Sequence, residues 1–117
     1  MAYVDGFVIP VKKDRLDDYL RIAEESSVLF KEYGALSVVE CVADDVPYGE
    51  LTSFPRAVQA ADDEVVIFSW ITYPSKEVRD ASNKRMMEDP RMKDAMENMP
   101  IDGKRMIFGG FIAAVQA

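Results

Sequence analysis

Asp5 and Glu40 are acidic side chains set inside otherwise apolar runs, "YVDGFV" and "SVVECV". A carboxyl group drawn out of water holds its proton more tightly, so these two are the candidate proton carriers. Asp5 is the expected catalytic residue, because its neighbours Val4, Gly6 and Phe7 are all without a polar side chain. The competing expectation is that either carboxylate lies at a sheet edge or pairs with a cation such as Arg79 or Arg105. Arg79 and Asn83 are four residues apart in a helical pattern and share a face, where they would anchor a substrate carbonyl or carboxylate. Trp70, with Phe68, Tyr3 and Tyr73 near it in strand patterns, is the expected wall for a flat ligand. Cys41 adjoins Glu40 but points to the opposite face of a strand, so the two are not expected to act together.

The 117 residues contain no histidine. That removes Ser-His-Asp and Cys-His catalysis, histidine metal ligation and an axial histidine to haem. The acidic residues around 44–64 lack the ordered spacing and central glycine of a calcium loop, and "DGKRMIFGG" lacks the glycine spacing of a P-loop. No metal and no cofactor are expected. Gly109-Gly110 in a strand pattern marks a bulge, a close helix contact or space cleared for a ligand.

These residues need elements to position them. "YVDGFVIPV" (3–11) reads as a first strand, and Asp14 as the cap of a helix over about 15–33, with Leu16, Tyr19, Leu20, Ala23 and Phe30 on one face. "ALSVVECVADDV" (35–46) reads as a second strand, followed by a long connection with a short helical turn near 56–60. "EVVIFSWITY" (64–73) is the clearest strand. Ser75 then caps a polar helix that Asp89-Pro90 interrupts, and the same pair starts a second helix with Met92, Ala95, Met96 and Met99 as its apolar stripe. Flexible thioethers of this kind fill irregular space and suit adaptable pockets. "KRMIFGGFIAAV" (104–115) reads as the last strand. The order strand, helix, strand, strand, helix, strand predicts an α+β fold of ferredoxin-like βαββαβ type, a four-stranded antiparallel sheet with helices on one face, in a single domain spanning 1–117.

Two helices cover only one side of such a sheet. In the first strand Phe7, Ile9 and Val11 oppose Val4, Val8 and Pro10, and in the third Val65, Ile67 and Ile71 oppose Val66, Phe68 and Trp70, so both faces are apolar. A second copy of the chain is the simplest cover, which predicts a homodimer packed through its sheet faces. The net charge of −7 works against nucleic acid as a partner. The longest apolar run, "MIFGGFIAAV", is about half the length that spans a bilayer. A lone cysteine and an N-terminus without a basic region and apolar run fit a cytoplasmic protein.

"YVDGFV", "LFKEYGAL", "VVECVADDVPYG", "VVIFSWITYPSKEVRDASNKRMMEDPRM" and "MPIDGKRMIFGGF" together resemble the YbaA-like family of uncharacterised bacterial proteins, from residue 3 to about 111. The resemblance implies the dimeric α/β-barrel superfamily, whose members include cofactor-free monooxygenases, haem-degrading enzymes and isomerases. Lacking histidine, this chain departs from the haem-degrading relatives and from those that use a histidine-aspartate pair. The resulting expectation is a small organic ligand held in a cleft between sheet and helices, with cofactor-independent oxygenation or isomerisation as its chemistry. Asp5 would carry the proton, Trp70 form a wall, and Arg79 and Asn83 anchor polar groups. The alternative is a non-catalytic dimeric module that senses a ligand or binds a protein.

Overall fold

The computed structural model describes residues 1–117. Its elements are β1 (Tyr3–Lys12), a 3-10 turn (Lys13–Arg15), α1 (Leu16–Glu32), β2 (Ser37–Val42), α2 (Phe54–Ala57), β3 (Glu64–Tyr73), α3 (Lys76–Glu88), α4 (Pro90–Asn98) and β4 (Ile107–Ile112). The four strands form one antiparallel sheet in the order β2-β3-β1-β4. The two longest strands, both rich in β-branched and aromatic residues, pair along their whole length at its centre, from Tyr3 opposite Tyr73 to Lys12 opposite Glu64.

Side-chain alternation divides the sheet into two faces. The inner face, beneath α1, α3 and α4, carries Ile9, Val11, Ile67 and Ile71, which are buried against Tyr19 and Ala23 of α1 and against Ala35. The outer face has no long helix over it. The connection between β2 and β3 folds across one end of that face instead: Val58 and Val66 are buried, and Phe54 meets the Phe68 ring edge-on at 5.6 Å. The expectation that one whole face is bare is corrected to that extent. Phe68, Ile107 and Phe111 remain exposed there, beside the half-buried Trp70.

Asp14 does not cap α1. The tight turn at 13–15 supplies the entry, with no side-chain cap on the helix. β2 stops at Val42 rather than 46, and β4 begins at 107 rather than 104. Residues 104 and 105 belong to a turn in which Asp102 accepts from the Lys104 N–H at 3.0 Å and from Arg105 Nε at 2.8 Å. The break between the two later helices falls where proline requires it. Asp89 is extended, ends α3 and caps α4 by accepting from the Arg91 N–H at 2.8 Å, and Ser75 caps α3 through the Val78 N–H at 3.2 Å.

Asp89 also ties the helical layer together. It is buried, accepts from Tyr33 at the end of α1 at 2.5 Å, and pairs with Arg91 at 2.8 Å, while Arg91 reaches Glu32 at 3.2 Å. These donors, the Arg91 guanidinium first, hold the Asp89 carboxyl well below the usual range. No residue of α4 itself is buried. The helix is therefore a thin cover, fixed at its N-terminal end, with Met92 half-buried beneath it and Met96 at its edge largely exposed.

Candidate functional site

Beneath that cover lies a cavity of about 180 Å³, bounded by the centre of the sheet, α1, α4 and the segment that follows α4. Thirteen of its sixteen lining residues are apolar; the other three are Ser26, Glu40 and Ser69. Met92, Met96, Met99 and Met106 supply the outer wall, and Met96 is 68% exposed, so a thioether stands between the cavity and water. Such side chains change rotamer at low cost and make favourable contacts with aromatic rings. The volume resembles that of a cavity known to take benzene, about 150 Å³, which sets the scale of a ligand at one ring.

The polar feature of this cavity is a phenol-carboxyl pair. Tyr19 on α1 donates its phenolic hydrogen to Oε1 of Glu40 on β2. Helical spacing puts Tyr19, Ala23, Ser26 and Phe30 on the α1 face that lines the cavity, and the strand pairing sets Glu40 opposite Ser69 on the inner face. Burial pushes the Tyr19 phenol far above its ordinary value near 10, and the adjacent Glu40 adds to the effect. Tyr19 thus stays protonated across all ordinary pH, available as a hydrogen-bond donor.

Of the residues singled out from sequence, Asp5 and Arg79 come together, but not here. Asp5 is buried on the inner face near the other end of β1, with Oδ1 3.6 Å from Arg79 Nε. Arg79 Nη2 donates to Tyr3 Oη at 2.9 Å, and Arg79 also meets Asp80 at 3.4 Å. Burial raises the Asp5 pKa, with Arg79 opposing and Asp80 adding to the shift. Gly110 makes this packing possible: a β-carbon there would stand 2.4 Å from Tyr3 Oη and 2.6 Å from Arg79 Nη2. The glycine's close approach serves the chain's own side chains. Asn83 is half-buried on α3 and, like Asp5 and Arg79, does not border the cavity.

Trp70 stands on the outer face, because Glu64, Val66, Phe68 and Trp70 share one parity along β3. It packs against Phe68 with ring centroids 5.5 Å apart. Asp5, Trp70, Arg79 and Asn83 therefore do not form one cleft between sheet and helices, and that expectation is corrected by the alternation of β3 and by the position of α3. Tyr19 and Ser26 are the site residues that sequence reasoning missed. Tyr19 reads as part of the apolar stripe, and the available signal was a serine, Ser26, recurring in that same stripe. Cys41 is unpaired and lies on the face opposite Glu40.

The sequence profile described as "Protein of unknown function (DUF1428)" matches residues 2–103. The uncharacterized protein YbaA of Escherichia coli K12 is 60% identical over 111 residues, which cover 95% of each chain. Among solved structures, a NIPSNAP family protein from Agrobacterium tumefaciens superposes with a TM-score of 0.63 at 13% identity, covering 96% of this chain and 85% of that one. SnoaB, a cofactor-independent oxygenase from Streptomyces nogalater, superposes with the same TM-score of 0.63 at 8% identity, covering 97% and 95%. At these identities the likeness is one of fold, that of the dimeric α/β barrels. The match along nearly the whole chain makes this protein a member of the DUF1428 family.

Proposed function

We propose that the chain binds a small, mostly apolar organic molecule in the cavity beneath α1 and α4, and that Glu40 exchanges a proton with it. The observation that carries this reading is a hydrogen-bonded phenol-carboxyl pair in a cavity otherwise lined by apolar and thioether groups. A carboxylate in such a setting suits removal of a proton from carbon next to a carbonyl and its return to a neighbouring atom, which is isomerisation. Tyr19 orients Glu40 while the methionines keep water away from the reacting atoms. Deprotonation of an electron-rich substrate is also the first step of oxygenation without a cofactor, and SnoaB, an oxygenase of that kind, shares the fold.

The test is a thermal-shift screen of small ketones and phenols, followed by exchange of the bound compound's acidic hydrogens with deuterated solvent. A stabilising compound whose exchange is accelerated by the protein and not by Glu40→Gln supports proton transfer. Binding without accelerated exchange would leave a ligand-binding module and remove the enzymatic reading.

The homodimer belongs to the same proposal. Phe68, Ile107 and Phe111 are exposed on the outer face around the Trp70 ring, and the fold's neighbours are of dimeric type. A second sheet laid on this face would cover what the β2-β3 connection leaves open. A free cysteine suits a cytoplasmic setting, and no helix is long and apolar enough to cross a membrane.

A further inference from the structure

Three polar groups bordering the cavity, Glu40, Ser26 and Ser69, keep hydrogen-bonding capacity that the chain does not use, and the first two lie on opposite walls, β2 and α1. Glu40 accepts from Tyr19 through Oε1, and no side chain donates to its Oε2. Ser26 is 4% exposed, and its Oγ is buried with no partner in the chain. Serines in helices commonly return the hydroxyl to a carbonyl three or four residues back, as Ser27 does to Glu24 O at 2.6 Å. Ser26, on the face that meets the cavity, makes no such bond. A buried hydroxyl left unpaired is costly, and few are retained in folded chains without a use.

The cavity also lacks any lysine or arginine. An anionic ligand would find no counter-charge there and would lie beside the Glu40 carboxyl in apolar surroundings, so the occupant is not an anion, and the largely apolar lining favours a neutral molecule over a cation. Volume and the thioether wall favour a single flat ring.

The geometry points to a neutral, single-ring ligand with two polar substituents: a hydroxyl that donates to Glu40 Oε2, and an oxygen that accepts from Ser26 Oγ once that enclosed hydroxyl turns about χ1 into the cavity. Ser26 is thus a specificity-determining residue, selecting rings that carry a second oxygen over rings that do not. The inference rests on the reading of this cavity as a ligand site and names the class of compound that site takes.

The three hydroxyacetophenone isomers serve as probes, with p-cresol, toluene and the hydroxybenzoates as controls, each titrated into the intact protein by calorimetry. The expected order places at least one hydroxyacetophenone roughly five- to tenfold tighter than p-cresol, since one hydrogen bond is worth about that factor. p-Cresol exceeds toluene, and the hydroxybenzoates do not bind. Ser26→Ala, which melts no lower than the parent because it only removes an unpaired hydroxyl, brings the hydroxyacetophenone down to the p-cresol value and leaves p-cresol unchanged. If no isomer exceeds p-cresol, or the preference survives in Ser26→Ala, the inference fails while the cavity remains a ligand site. If neither p-cresol nor toluene binds, the underlying reading fails with it.

Discussion

The hydroxyl of Tyr19 on α1 is satisfied by Glu40 on β2, inside the apolar cavity that separates helix from sheet. Removing the hydroxyl in Tyr19→Phe leaves a half-buried carboxyl group without its donor. Chemical denaturation should show a loss of about 1–3 kcal/mol at neutral pH. The pH dependence has a definite sign. Because the folded-state phenol ionises far above 10 while the unfolded phenol ionises near 10, the unfolded state sheds the proton first. The parent should therefore lose stability as pH rises above 10, and Tyr19→Phe should lose less over the same interval. Equal slopes would mean that Tyr19 is not held protonated by its surroundings.

Asp5 and Arg79, 3.6 Å apart, make a second polar cluster outside the cavity. With its folded pKa above the ordinary 3.8, Asp5 contributes most to stability when protonated, below that value, and the contribution is lost as pH rises through the folded pKa. Asp5→Asn mimics the protonated form. It should match or modestly exceed the parent in melting temperature at neutral pH, with the difference vanishing in acid. Affinity for a cavity ligand should not change, and loss of binding at unchanged stability would move the site to the Arg79 cluster.

Glu64 and Arg105 form a two-pronged ion pair at 2.7 and 2.8 Å that ties the start of β3 to the turn before β4. The Arg105 guanidinium holds the Glu64 carboxyl down at about 2, against an ordinary 4.5. The stabilisation is complete above 4.5 and fades as pH falls toward 2. Glu64→Gln should cost about 1.5–3 kcal/mol at neutral pH, since these hydrogen bonds join charged groups. Urea titrations at pH 7 and at pH 2.5 test this; a deficit that persists undiminished in acid would refute the assignment.

Phe68 and Phe111 lie exposed on the outer face of the sheet. If that face joins two copies, light scattering at micromolar concentration gives twice the mass of 13.2 kDa for the parent. Phe111→Asp should then give a monomer, since a carboxylate buried at an apolar interface has no partner. A monomeric parent would contradict the dimer.

Much of this architecture can be read from local pattern. The alternation in "YVDGFVIPV" and "EVVIFSWITY" assigns both faces of the central pair, and Asp89-Pro90 marks the junction of α3 and α4 because proline at a first helical position is tolerated there. The same alternation places Trp70 beside Phe68 and away from the helices, so its assignment to the cleft fails on information already present in β3. What stays illegible is long-range. Tyr19 looks like one more apolar stripe residue until β2 brings Glu40 beneath it, 21 positions later. The vacancy of Ser26 Oγ is a property of packing, not of spacing. The end of β2 falls at a bend, Asp44-Asp45, and the start of β4 after the turn at Asp102, and a propensity pattern does not resolve either against strand pairing.

A small neutral ring is expected to occupy the space bordered by Tyr19, Ser26 and Met96. Nuclear magnetic resonance of the protein labelled at its methionine methyls, titrated with p-cresol, measures this directly. Saturable shifts are expected at Met92, Met96, Met99 and Met106, with the exposed Met87 of α3 unmoved and the response lost or weakened in Glu40→Gln. Shifts confined to residues around Trp70, or none at any of these methyls, would rule out this cavity as the ligand site.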